Sequence, residues 1–230
     1  MCKKQIPPKA QQKITDKYSD TVINLKKVYS LPFRTTLDSK LREFQYKILN
    51  NVFTNDKLFR FGFSHSPNCT FCNEEPESLE HLLLHCTVSS EFWKEVLSWL
   101  KDNDIVIESF TEIGLFLGFF EETEDFFIIN HVLLLGKYYI YVRKCHGSFP
   151  SSRGFITKIR SRSVYNIELH IARERDRLAT HFKKWEKLVV ALNNQLNLAY
   201  LQLVFFVIFF FSCVYCIRGA QKSLLVGYCK

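Results

Sequence analysis

The stretch Asn68–Cys86, NCTFCNEEPESLEHLLLHC, decides how the rest of the chain is read. It sets Cys69-x2-Cys72 ahead of His81-x4-Cys86, and three thiols with one imidazole at such spacing are the donor set that a four-coordinate Zn2+ favours. Ser66, Pro67 and Asn68 prepare a tight turn that would aim both knuckle sulfurs at one point. Glu77 to Leu84 reads as a helix entered after Pro76, with His81 on it. In an unbroken helix a residue five positions on points about 140° away, so Cys86 can join His81 only if the helix ends or tightens near His85. Thr87 and Val88, both β-branched, fit such an exit. The rival ligands are His85, four residues after His81 on the same face, and His65, four before Cys69. A His81/His85 pair would leave Cys86 a buried thiol; the Cys3His set leads over this arrangement and over a reading as ordinary buried cysteines.

The residues around this stretch carry a family resemblance. The run from Phe33 to Trp93 holds LREFQYKILNNVFTNDKLFRFGF, then CTFC, then EPESLEHLLLHC, then Phe92-Trp93. It resembles the reverse transcriptase zinc-binding domain found near the C-terminus of polyproteins of LINE-type, non-LTR retrotransposons. The similarity continues through LLLGKYYIYVRK to HFKKWEKL, covering roughly Leu25 to Leu188. The combination of FQYKILN, TN, CxxC and E-[ST]-xx-H-x4-C is specific, where CxxC alone is not. Ser78 stands where the family more often has Thr, a departure that leaves the ligands untouched. The resemblance implies a terminal piece of a retroelement protein, separate from the endonuclease and reverse transcriptase domains. In family terms it would hold template RNA or target DNA near the polymerase during target-primed reverse transcription.

A chain of 230 residues is long enough for one sizeable core or two small ones. Eight cysteines, at 2, 69, 72, 86, 145, 213, 216 and 229, do not form an even disulfide framework, and MCKKQIPPKAQQK is not read as a signal peptide. The expected setting is intracellular and reducing, nucleus or cytoplasm. The net charge of +8 hides blocks of differing sign. Residues 1–73 hold 13 Lys/Arg against 5 Asp/Glu, residues 74–125 hold 2 against 14, and residues 126–190 hold 13 against 4. A polyanion would therefore meet the ends of the domain more readily than its middle.

The expected fold is mainly α: a small helical zinc-knuckle domain, then a buried helix, then a long basic amphipathic helix with an apolar C-terminal extension. Residues 1–19 read as a solvated lead-in and 20–101 as the helical zinc-binding domain, with helices over 20–29 (ended by Leu31-Pro32), 38–51, from Asn55 to Phe61, and 91–101. Ser89-Ser90 is the expected cap of the last. Apolar residues of the second and third helices are expected to pack on the metal site. Trp93 and Trp99 follow the apolar periodicity and read as core. Residues 102–150 comprise an acidic loop and a buried helix over 126–141, apolar nearly all round yet short for a membrane span, with a loop at 146–154. A long helix runs through 151–192. The apolar tail, 193–230, contains a candidate transmembrane segment at about 196–217; Cys213-x2-Cys216 within it is a weak second metal candidate.

No paired-aspartate palm motif, Gly-rich phosphate loop or supported nucleophile–base arrangement is present in the sequence, so the expectation is a non-catalytic module without a small-molecule substrate. The leading function is zinc-stabilised binding of RNA or DNA through basic helices: Lys47, Lys57 and Arg60, and, on the long helix, Arg153, Lys158, Arg160, Arg162, Arg173, Arg177, Lys183 and Lys184. The alternatives are a single-span membrane-anchored or interaction module, with the basic side facing anionic lipid, and a decayed retroelement remnant.

Overall fold

The computed structural model describes residues 9–52, 54–120, 123, 125–161 and 178–193, the last helix by its backbone alone at 178–184 and 193. The chain divides into two compact units, Met1–Lys187 and Leu188–Lys230. Described residues are helical or irregular; their one β-bridge joins Asn68 to Pro76.

The first helix, α1 (Lys9–Lys17), lies in the stretch expected to be a solvated lead-in. One turn of it is anchored: Ile14 is buried, and Lys17 pairs at 2.6 Å with both Glu80 and Glu112. The next helix, α2 (Leu25–Thr35), begins at an Asn24 cap whose side chain accepts from Lys27 N, and it runs through Pro32 instead of stopping there. A proline inside a helix costs roughly 3 kcal/mol. Here Val28, Leu31, Pro32 and Thr35 form one buried stripe, and its burial outweighs that cost. Asp38 caps α3 (Ser39–Leu49), accepting from Lys40 N at 2.8 Å, and Leu41, Phe44, Ile48 and Leu49 face the core.

The third expected helix is real but does not pack as expected. In α4 (Asn55–Arg60) no residue is buried, and Phe59, Phe61 and Phe63 face outward past Gly62, whose φ of +75° turns the chain. A six-residue helix has too little surface to bury a stripe and hold the knuckle together. After the knuckle comes a π turn (His81–His85), then α5 (Thr87–Lys101) and a short α6 (Glu112–Leu117) inside the acidic loop. Phe92, Trp93, Val96, Trp99 and Leu100 of α5 are buried.

At the centre stands α7 (Phe126–Cys145), packed on α2, α3 and the π turn. Every residue from Ile128 to Lys137 is buried, which is why its sequence shows no polar face. The polar residues that interrupt its apolar run all have partners inside the protein. Asn130 clamps Phe119 by accepting from its N–H and donating to its carbonyl, 2.9 and 3.0 Å. His131 Nδ1 lies 3.0 Å from the Thr35 carbonyl. Lys137 donates to Gln45 Oε1 and to the Leu115 carbonyl, each at 2.7 Å.

The loop after α7 is shorter than expected, because α8 (152–161) already begins at Ser152. Of the long basic helix expected over 151–192, residues 162–177 lie outside the described residues; on either side are α8 and α9 (Leu178–Asn193). Among the described residues no helix is long and apolar enough to cross a membrane. The segment expected to do so, 196–217, lies outside them, as does Cys213-x2-Cys216.

Candidate metal centre

The site grows from two short segments that hydrogen-bond to themselves before they meet. On the first, Asn68 N donates to Ser66 Oγ, Cys69 N donates to the Glu75 carbonyl at 2.8 Å, and Asn73 N closes onto the Cys69 carbonyl at 2.9 Å. Asn73 takes a left-handed φ of +58°, a conformation asparagine tolerates, and this reverses the chain just past Cys72. Asn68 then bridges back to Pro76, so Cys69 and Cys72 sit on a closed loop.

On the second segment, Ser78 Oγ accepts from His81 N at 3.0 Å, and Leu82 N donates to the Ser78 carbonyl, so the helical turn starts on a serine cap. The hydroxyl needed there is present in serine as in threonine. The turn then widens: Cys86 N donates to the His81 carbonyl at 2.7 Å, a bond spanning five residues. A turn enlarged by one residue makes five positions close to a full revolution, which brings Cys86 back beside His81. The sequence argument required the helix to end or tighten near His85; it ends there, Cys86 leaving at φ −58° and ψ 134°, after a last turn that widens.

Widening strands two carbonyls, and α5 supplies both donors. Ser89 Oγ donates to Leu82 O at 2.6 Å and Trp93 Nε1 to Leu83 O at 2.7 Å, all four groups being buried. Ser89 is therefore not the cap of α5, which already starts at Thr87; it completes the π turn before it.

Cys69, Cys72, His81 and Cys86 each present one donor atom, and these atoms lie within 4.8 Å of one another. Cys69 Sγ is 3.8 Å from Cys86 Sγ, and Cys72 Sγ is 3.3 Å from His81 Nε2. A tetrahedron with Zn–S bonds of about 2.3 Å has sulfur–sulfur edges of roughly 3.8 Å, whereas a disulfide would need about 2.05 Å. The donor set and its spacing fit a tetrahedral metal ion. Glu75 Oε2 sits 3.0 Å from His81 Nδ1, off the line of a hydrogen bond, where a carboxylate can orient a ligating imidazole. Burial pushes the Cys69 thiol up to about 12, the Cys86 sulfur adding to it against nearby backbone N–H groups. At Cys72 desolvation is outweighed by the backbone N–H groups of Glu74 and Glu75 and by His81, which bring it down to about 7.

The rival ligands are elsewhere. His85 is exposed, its Nε2 3.3 Å from Glu112 Oε2, and His65 is exposed and outside the cluster.

A residue that the sequence reading did not single out supports the whole site. Glu77 is fully buried, and its carboxylate accepts from Asn55 N at 2.8 Å and from both N and Oγ1 of Thr70, inside the CxxC, at 3.1 Å. It also pairs with Lys144 at the end of α7. The signal was present: Glu77 is the Glu of E-[ST]-xx-H-x4-C.

The expected polyanion contacts that fall among the described residues have differing surroundings. Lys47 pairs with Glu43 and Arg60 with Asp56, each one turn away. Lys57 donates to the Asn51 carbonyl, and burial, with Lys13 nearby, lowers its pKa. Arg153 and Lys158 are exposed on α8 and Arg160 is half-buried. Arg162, Arg173 and Arg177 lie outside the described residues, as do the side chains of Lys183 and Lys184.

Comparison with known proteins agrees with this geometry. Residues 13–93 match the family described as zinc-binding in reverse transcriptase, a match that takes in all four donors and ends at Trp93. No curated protein and no solved structure matches the chain.

Proposed function

We propose, from the premise that residues 13–93 are a zinc-binding domain of the reverse transcriptase type, that the chain is a non-catalytic module in which a structural Zn2+ organises a nucleic-acid-binding domain. The observation that carries this reading is the convergence of Cys69, Cys72, His81 and Cys86 within 4.8 Å, on a loop and a π turn. Three sulfurs and a nitrogen complete a tetrahedron and leave no position for a reacting water, so the metal's part is structural. Its binding would contribute on the order of 10 kcal/mol to folding. Thiolate ligands favour zinc over the oxygen-loving divalent ions.

Binding of RNA or DNA is supported by the basic blocks on either side of the acidic one and by exposed Arg153 and Lys158. In the retroelement setting that the family resemblance suggests, such a module would hold template or target beside a polymerase carried elsewhere.

Metal analysis of the full chain beside Cys72→Ser tests the zinc half: about one zinc per chain, lost in the variant together with helical signal, is the expected result. A well-folded wild type without metal would overturn it. Salt titration tests the other half, since phosphate-dominated affinity must fall steeply with ionic strength.

A further inference from the structure

The outer side of α2 and α3 carries rings that the core does not use. Phe33 is 65% exposed and Tyr46 59%, and Tyr29 is half-buried beside them. Tyr29 and Phe33 stand four apart on α2, Arg42 and Tyr46 four apart on α3, so each pair shares a helix face. The two faces meet. The Arg42 guanidinium lies 4.9 Å from the Phe33 ring centroid, and Tyr46 is near enough to Tyr29 to add to the effect of burial in raising its phenol. Arg42 is held rigidly, its Nε and Nη2 both donating to the Thr36 carbonyl at 2.8 and 2.6 Å.

The charge on these two helices is mainly positive, and the one acid within them, Glu43, pairs with Lys47. Within the two helices Lys26, Lys27, Arg34, Lys40, Arg42 and Lys47 are opposed by Glu43 alone. Phe61 and Phe63 are more exposed still, but the cation next to them in the chain, Arg60, is paired with Asp56. Exposed rings interleaved with cations match a strand of unstacked bases joined by phosphates, because every base offers a π face and every linkage a negative charge. A duplex does not match, since its bases are already stacked on each other.

We propose that the α2–α3 face is a stacking platform for single-stranded nucleic acid, with bases on Phe33 and Tyr46 and phosphates on Lys26 and Arg42. This rests on the nucleic-acid reading above and adds to it the class of strand and the residues that meet it.

The test is fluorescence anisotropy of the full, zinc-loaded chain with labelled oligo-uridine, oligo-thymidine and a blunt duplex of equal length. Phe33→Ala and Tyr46→Ala are each expected to weaken single-strand binding roughly ten-fold, Tyr46→Phe to leave it unchanged, and none of them to alter zinc content. Preference for the uridine over the thymidine strand, or the reverse, identifies which nucleic acid occupies the face. If wild type binds a single strand and both alanine variants bind it equally well, the platform is overturned while the nucleic-acid reading stands; the rings would then be a protein-docking face. If wild type binds only the duplex, the platform is likewise wrong. If wild type binds none of the three, the nucleic-acid reading fails and the platform with it.

Discussion

Glu77 and Lys144, 67 positions apart in the chain, form a buried ion pair that joins the cysteine knuckle to the end of the central helix. Both charges have left water, so the pair is sustained by geometry: the carboxylate also takes N–H groups from Asn55 and Thr70. Removing one partner leaves the other charge buried and uncompensated. Glu77→Gln and Lys144→Met are each expected to lower the unfolding free energy by about 3–5 kcal/mol, measured by denaturant titration of the zinc-loaded protein. The double variant should cost less than the sum of the two; strict additivity would show that the residues do not couple.

His81 and His85 bracket the π turn, and the structure separates their roles. His81 is buried with Nε2 beside Cys72, while His85 is 56% exposed by its side chain, with its Nε2 near Glu112. His81→Ala is expected to abolish stoichiometric zinc, and His85→Ala to retain about one zinc per chain with little change in stability. Zinc lost from both variants alike would contradict the ligand set assigned here.

The ligand spacing and the buried helix over 126–141 were legible because each rests on local chemistry: donor type and hydropathy. The π turn was legible only as a problem, since spacing shows that an α-helix would misplace Cys86 but not which departure corrects it. The solution depends on Ser89 and Trp93, which satisfy the stranded carbonyls from seven and ten residues away. Pro32 and Ile14 misled for the complementary reason. A local helix breaker and a lone apolar residue in a charged run were overruled by burial against distant parts of the chain, which no window of sequence displays.

Gly136 lets α7 approach α5 at Trp93. A Cβ at Gly136 would fall 2.4 Å from Trp93 Cη2, and the indole cannot swing away because it is buried and bound through Nε1 to Leu83 O. Alanine gains up to about 1 kcal/mol in helix propensity, yet overpacking of this kind typically costs 1–3 kcal/mol. Gly136→Ala is therefore expected to be destabilising by about 1 kcal/mol in urea titration, and Gly136→Val by more. Neutral or stabilising behaviour would mean that the two helices do not meet this closely.

Lys137 makes stability depend on pH in a direction opposite to that of a salt-bridged lysine. Burial lowers its pKa from 10.5 to about 7, with the Gln45 side chain and the Leu115 carbonyl as its acceptors among the described residues. Below about 7 the amine is protonated in both folded and unfolded chains, and the full cost of a buried ammonium is present. Between about 7 and 10.5 the unfolded chain still holds the proton that the folded one has released, so the unfolded state binds more protons and stability rises with pH. The slope from this residue is at most about 1.4 kcal/mol per pH unit. Urea unfolding of wild type and Lys137→Met across that window isolates it, because the other titrating groups are common to both. Wild type is expected to gain on the variant as pH rises from 7; a difference that stays constant would show that Lys137 keeps its charge inside the protein.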